Sequence, residues 1–122
     1  MIDPNRFTIK SQEAIQRAQS LAGENGNQQL EPEHLLLALL LDQEGIFPAV
    51  LKKFGVSENE IKLKLEKEIE RFPKVSGGIG QAYMSKELNS VFEEARKFSR
   101  KLKDEYISVE HLILALCSCS TK

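Results

Sequence analysis

Residues 33–39 read EHLLLAL, and the same motif returns as EHLILAL at residues 110–116. Six of the seven positions are identical, and the offset between the copies is 77 residues (110 − 33). The offset continues upstream without a gap as far as Thr8, which aligns with Ser85. A constant offset over this length indicates an internal duplication, which decides the fold before any single residue is interpreted.

Each copy predicts two successive helices. In the first, apolar residues recur at helical spacing, from Ala14 to Ala22 in copy one and from Leu88 to Leu102 in copy two. Thr8 and Ser85 precede these stretches, where helix N-caps belong. The second helix carries the repeated motif and is almost entirely apolar, so we expect it to be the buried centre of its unit.

The start of each second helix is marked by residues that favour it. Glu31 is the expected N-cap in copy one, and Pro32 occupies the first helical position, where its missing N–H costs nothing. Ser108 is the expected N-cap in copy two. His34 and His111 follow within the first turn, and we expect them to be local hydrogen-bonding partners rather than ligands or bases.

Copy one continues with two further predicted helices. A short third helix covers about residues 47–54, and a fourth begins after Ser57 and stops at Pro73. No segment predicts a strand. The predicted fold is all-α, with two pseudo-symmetric helical repeats in a single domain covering residues 1–122. Repeat one covers about 6–73, a glycine-containing linker about 74–84, and repeat two about 85–122.

Repeat two is expected to lack its last two helices. Adding 77 to Ile46, where the third helix approaches, gives 123, one position beyond Lys122. We therefore expect a piece of a longer protein or a shortened form of the domain.

Composition argues against several classes of function. Lys and Arg total 17 and Asp and Glu total 18, which leaves no overall charge to attract nucleic acid or an anionic membrane. A basic helical face at residues 96–103 is expected to be solvated, with Glu93 pairing to Lys97. The longest apolar run, residues 35–41, is far shorter than a membrane span. Cys117 and Cys119 are too close together to staple a domain or to complete a metal site, so a reducing, cytoplasmic setting is expected.

A capped helix followed by the EHLLLAL helix, present twice, resembles the Clp N-terminal repeat domain. The likeness covers Arg6 to Cys117. Residues 27–32 (NQQLEP), 71–78 (RFPKVSGG) and 103–108 (KDEYIS) are similar to the ClpB branch, the AAA+ protein disaggregases. The motif core is also similar to the ClpC and ClpA branches.

The resemblance implies an accessory domain that binds exposed apolar segments of unfolded or aggregated proteins and helps deliver them to the pore of an AAA+ ring. Its implied partners are those client proteins, the AAA+ ring of its own parent chain and an adaptor, with no nucleic acid and no membrane. ATP and Mg²⁺ are implied only for AAA+ domains. Residues 77–80 (GGIG) lack the Lys-Ser/Thr pair of a phosphate-binding loop, so we expect no cofactor and no catalysis in this chain.

The resemblance also implies which residues contact clients: Thr8, Phe98, Asp104 and Glu110. Each has a simpler structural interpretation, because Thr8 is a helix cap and Phe98 belongs to the apolar stripe of its helix. Asp104 follows a helix end as a turn residue would, and Glu110 lies where a helix dipole stabilises a carboxylate. The seam between the two repeats is the expected apolar cleft.

A second hypothesis comes from the ClpC branch, in which matching residues form two sites for phosphorylated arginine. This sequence has Thr8 with Glu33 in copy one and Ser85 with Glu110 in copy two. A carboxylate pairs with the guanidinium while helix N–H groups and a hydroxyl take the phosphate. Under this hypothesis the domain reads phosphoarginine tags or docks an adaptor for a Clp protease, although the ClpB-like linker argues against it.

Overall fold

The computed structural model describes residues 4–42, 44–74 and 83–119. These residues form six α-helices after a 3₁₀ turn at Pro4–Arg6. The helices are α1 (Ile9–Glu24), α2 (Pro32–Leu41), α3 (Ile46–Lys53), α4 (Glu58–Glu70), α5 (Lys86–Lys101) and α6 (Val109–Cys119). The predicted all-α fold with two helical copies is confirmed, since α5 and α6 begin 77 residues after α1 and α2 (86 − 9 and 109 − 32).

The predicted caps begin the first helix of each copy. The Oγ1 atom of Thr8 accepts the N–H of Ser11 at 3.2 Å, and the Oγ atom of Ser85 accepts the N–H of Leu88 at 3.0 Å. Both caps satisfy a backbone donor that a helix start would otherwise leave unpaired. The two copies therefore begin with the same local geometry.

The prediction that no segment forms a strand was wrong. Strand β1 (Gln29–Leu30) pairs in parallel with β2 (Tyr83–Met84), which lies at the end of the predicted linker. The rest of that linker, residues 75–82, lies outside the described residues. A matching parallel bridge joins Phe7 to Ile107. Strands of two residues carry no alternating pattern that a sequence could display.

These two pairings are related by the internal repeat, because 7 + 77 is 84 and 30 + 77 is 107. In each copy, the residues before the first helix therefore pair with the residues before the second helix of the other copy. The N–H of Thr8 donates to the Ile107 carbonyl at 3.0 Å, and the N–H of Ser85 donates to the Leu30 carbonyl at 3.0 Å. The seam between the copies is thus held by backbone hydrogen bonds as well as by apolar packing.

One large apolar core spans both copies and includes side chains from α1, α2, α5 and α6. Within it the rings of Phe7 and Phe92 meet edge to face, with centroids 5.5 Å apart. A second core cluster joins α2 to α4 through Leu37, Leu40, Leu65 and Ile69. The predicted burial of α2 is confirmed.

Within the described residues no single helix is long and apolar enough to cross a bilayer, and α2 with α3 satisfies the length only as a pair bent by 79°.

The outer face of α6 differs from that of α2. Leu37 is 3% exposed beneath α4, whereas Leu114, its counterpart at 37 + 77, is 42% exposed. Cys117, the counterpart of the buried Leu40, is also exposed. The predicted Glu93–Lys97 pair was wrong, since Glu94 instead approaches Lys97 at 3.4 Å on the exposed face of α5.

Truncation of the paired leucines measures this difference directly. We expect Leu37→Ala to lower the free energy of unfolding by about 2–5 kcal/mol, because it leaves a cavity in a closed core. Leu114→Ala removes a half-exposed side chain and should cost less than about 1 kcal/mol. Urea unfolding followed by circular dichroism compares the two variants, and equal losses would contradict the assigned burial.

A histidine relay closes the start of α2. The N–H of Glu31 donates to His34 Nδ1 at 2.9 Å, so the ring carries its proton on Nε2, which lies 2.9 Å from Asn27 Oδ1. Burial lowers the pKa of His34 from its usual 6.5, against a smaller raising effect of the Glu33 charge. The predicted role of His34 as a local hydrogen-bonding partner is confirmed.

Acid should therefore destabilise the domain through His34. Because its pKa is lower in the folded state, the unfolded chain takes up a proton first as the pH falls through 6.5. The neutral His34 ring contributes its full share of the free energy of unfolding above pH 6.5, and this contribution declines as the pH falls below 6.5. Urea unfolding between about pH 7.5 and about pH 5.5 should show this slope in the natural chain and a shallower one in His34→Gln, which cannot titrate. Because His111 is present in both proteins, identical slopes would contradict the assignment.

Candidate functional site

A cavity of about 360 Å³ opens where the two copies meet. Its apolar lining comes from Leu39 at the end of α2, Ile46 and Phe47 at the start of α3, and Val109 at the start of α6. Thr8 and Glu110 lie on its wall, at the starts of α1 and α6. We call this space the junction cavity. Its position agrees with the sequence-based expectation of an apolar cleft at the seam.

The cross-copy strand pairing explains why Thr8 and Glu110 meet. The N–H of Ile107 donates to the Arg6 carbonyl at 2.7 Å, and the carbonyl of Ile107 accepts the N–H of Thr8. The Oγ atom of Ser11 also donates to the Ile107 carbonyl, at 2.9 Å. These bonds hold the starts of α1 and α6 side by side.

The contacts of Thr8 and Ser85 run between the copies, while the predicted phosphoarginine sites (Thr8 with Glu33, Ser85 with Glu110) stay a prediction. Thr8 shares the junction cavity with Glu110 of the other copy. Ser85 lies instead beside the start of α2, the helix that carries Glu33, with its N–H on Leu30. Sequence order suggested that the residues of each site come from one copy, whereas the strand pairing between the copies brings together residues of both.

The loop between α2 and α3 supplies charge to the cavity rim. Asp42 and Glu44 line it together with Lys10. The Asp42 carboxylate accepts the N–H of Glu44 at 3.3 Å and lies close to Gly45, where an added Cβ would come within 2.9 Å of its Oδ2 atom. The absence of a side chain at Gly45 lets this carboxylate pack against the loop. Sequence reasoning missed these residues because only the folded loop brings them to the seam.

Ser85, the counterpart of Thr8 in copy two, is buried and is not open to solvent. Ser85 is 1% exposed, and its hydroxyl hydrogen-bonds the Glu31 carboxylate. Burial raises the pKa of Glu31 above its usual 4.5; the Ser85 bond opposes this rise, and the charges of Glu87 and Glu33 add to it. In copy two the residue matching Glu31 is Ser108 (31 + 77), and on this side Thr8 and Ser108 both line the junction cavity.

The remaining predicted residues lie outside the cavity lining. Phe98 packs, partly buried, against the main core from α5. Asp104 has a half-exposed side chain (51%), and its Oδ2 atom lies 2.9 Å from His111 Nε2. The predicted role of His111 as a local hydrogen-bonding partner is confirmed. Client contact by Phe98 and Asp104 stays a prediction.

Comparison with known proteins places this geometry in a family. The chain matches the Clp repeat (R) N-terminal domain over residues 6–121. Chaperone protein ClpB of Bacteroides thetaiotaomicron is 41% identical over 112 residues, and that of Porphyromonas gingivalis is 40% identical over 121 residues. These alignments cover 92% and 96% of this chain but only 13% and 14% of the relatives, so the chain spans about a seventh of their length.

Solved structures share the fold at low sequence identity. The N-terminal domain of Hsp104 from Candida albicans aligns with a TM-score of 0.81 and 24% identity, over 90% of this chain and 72% of that one. The ClpV N-domain in complex with a VipB peptide aligns with a TM-score of 0.79 and 19% identity, over 100% of this chain and 81% of that one. Because the family's sequence model matches nearly the whole chain, and the fold agrees with it, the chain belongs to the Clp repeat N-terminal domain family.

Proposed function

We propose that this chain is the client-binding N-terminal domain of a ClpB-type AAA+ disaggregase. Its clients are exposed apolar segments of unfolded or aggregated proteins, and the junction cavity receives them. The observation that carries the proposal is an open cavity with an apolar lining and the polar side chains of Thr8 and Glu110 on its wall. Ligand sites commonly combine a mainly apolar lining with a few placed polar groups.

The surface around the cavity supports binding of an extended segment. Ile46 is 40% exposed at the cavity, Val50 (39%) follows four residues later on α3, and Phe54 (75%), four residues further on, is the C-cap residue of that helix. This spacing puts the three side chains on one face of the helix. Ile9, on the first turn of α1 next to Thr8, is 73% exposed. Exposed apolar side chains that share one face of a helix, as on α3, are typical of surfaces that bind other proteins.

Relatives support the same proposal from outside this chain. The two curated relatives named above are ClpB chaperones, and the ClpV N-domain of similar fold was solved with a peptide. Under the proposal, ATP and Mg²⁺ are bound by AAA+ domains of a parent protein, and this domain performs no catalysis itself. It works in the cytoplasm beside the AAA+ ring, neither nucleic acid nor a membrane is a partner, and an adaptor is a further partner.

A matched pair of apolar variants tests the site. The binding partner is a reduced and alkylated unfolded protein, and affinity is measured by NMR titration of the labelled domain. We expect Ile46→Ser to weaken binding roughly five- to tenfold, because it removes apolar contact area from the cavity. Leu63→Ser changes a side chain that is 59% exposed on α4, away from the cavity, and should leave affinity unchanged. Shifts that avoid Thr8, Phe47 and Glu110, or equal losses in both variants, would reject the junction cavity.

The shared position of Thr8 and Glu110 favours one alternative, which is recognition of phosphoarginine or of an adaptor as in the ClpC branch. The Glu110 carboxylate pairs with a guanidinium, and the starts of α1 and α6 face a phosphate. A second site around Ser85 and Glu33 is disfavoured, because the Ser85 hydroxyl is buried and already bonded to the Glu31 carboxylate.

Calorimetry with free phosphoarginine distinguishes this alternative from the main proposal. If the alternative holds, one equivalent of phosphoarginine should bind. Glu110→Ala should then abolish the heat of binding, and Glu33→Ala should leave that heat unchanged. If the natural chain gives no heat of binding, the alternative is rejected. Binding of two equivalents would contradict the conclusion that no second site forms around the buried Ser85.

A further inference from the structure

Asp104 and His111 form a relay that has a neutral counterpart in the other copy. Asp104 matches Asn27, and His111 matches His34, at the offset of 77 (104 − 27 and 111 − 34). The side-chain oxygen of each first residue lies 2.9 Å from the Nε2 atom of its histidine. The backbone is held alike as well, since the N–H groups of Asn27 and Asp104 donate to Ala22 and Ser99, both at 2.8 Å.

The opposite side of the His111 ring holds the start of α6. The N–H of Ser108 donates to His111 Nδ1 at 2.8 Å, so the proton of the neutral ring lies on Nε2 and is donated to Asp104. His111 is 3% exposed and Asp104 is the acceptor that fixes its orientation. An acceptor that orients a histidine ring in this way sets the position of whatever the other nitrogen binds.

The segment held by this ring carries one wall of the junction cavity. Ser108, Val109 and Glu110 all line the cavity, whereas Asp104 does not. The residue just before them, Ile107, bonds the backbone that leads into Thr8 on the other wall. The loop that begins at Asp104 thus reaches both sides of the cavity through hydrogen bonds.

We propose that Asp104 is a positioning residue for the junction cavity, acting through its hydrogen bond to His111 and not through contact of its charge with the client. This inference rests on the proposed function of the junction cavity and assigns a role to Asp104, which supports one wall of the cavity without lining it. Copy one shows that the same geometry needs an acceptor oxygen and no charge, because Asn27 serves there. The carboxylate of Asp104 is therefore replaceable by an amide.

The conservative variant separates the two roles. Asp104→Asn keeps the acceptor oxygen and should bind the unfolded test protein within about twofold of the natural chain. Asp104→Ala removes the acceptor of a buried ring N–H and should weaken binding roughly five- to tenfold. Glu105→Ala, which removes an exposed neighbouring charge, is the matched control and should bind as the natural chain does. A loss in Asp104→Asn as large as in Asp104→Ala overturns the proposal in favour of direct charge contact.

Ring-nitrogen NMR of the 122-residue chain gives a readout independent of client binding. We expect the His111 ring to keep its Nε2–H form in Asp104→Asn, and to lose its fixed state in Asp104→Ala with shifts of the Val109 and Glu110 amides. Unchanged ring and amide signals in Asp104→Ala overturn the positioning role. If the natural chain binds no client, the proposed function fails while these spectra still decide the relay, and thermal unfolding of each variant identifies any that fails to fold.

Discussion

The backbone pairing between the two copies is the constraint on which the rest of the molecule depends. The residues before α1 pair with those before α6, and the residues before α5 pair with those before α2. Each pairing involves very few hydrogen bonds, yet each places a helix start of one copy against a helix start of the other. The main core forms around this arrangement, and the junction cavity opens at one of the two pairings.

The internal repeat contains two equivalent strand pairings, and single side chains beside them differ. At one pairing Glu31 bonds the buried Ser85, whereas at the other the matching residue is Ser108, which lines the junction cavity together with Thr8. The same divergence separates the relays, since a buried Asn27 serves His34 and a half-exposed Asp104 serves His111. The symmetry of the backbone is therefore retained, and the chemistry of the two halves is not.

The helices were predictable from the sequence because their signals are local. Thr8, Pro32 and Ser85 mark helix starts within a few residues of the apolar stripes they precede. The site was predictable only in part, because its walls come from residues about 100 positions apart, such as Thr8 and Glu110. Sequence order suggests grouping residues within a copy, and only the strand pairing between the copies shows that Thr8 and Glu110 line the same cavity. The loop at Asp42 carries no pattern that points to the seam.

The parallel bridge between Phe7 and Ile107 also has a mechanical consequence. A force that pulls the chain backward from Phe7 and forward from Ile107 runs along both strands in opposite directions, which is shear. The hydrogen bonds on the two sides of Ile107 then carry the load together instead of opening one after another. A short contact loaded in this way resists extension better than the same bonds peeled apart, so the seam resists a pull that separates Phe7 from Ile107.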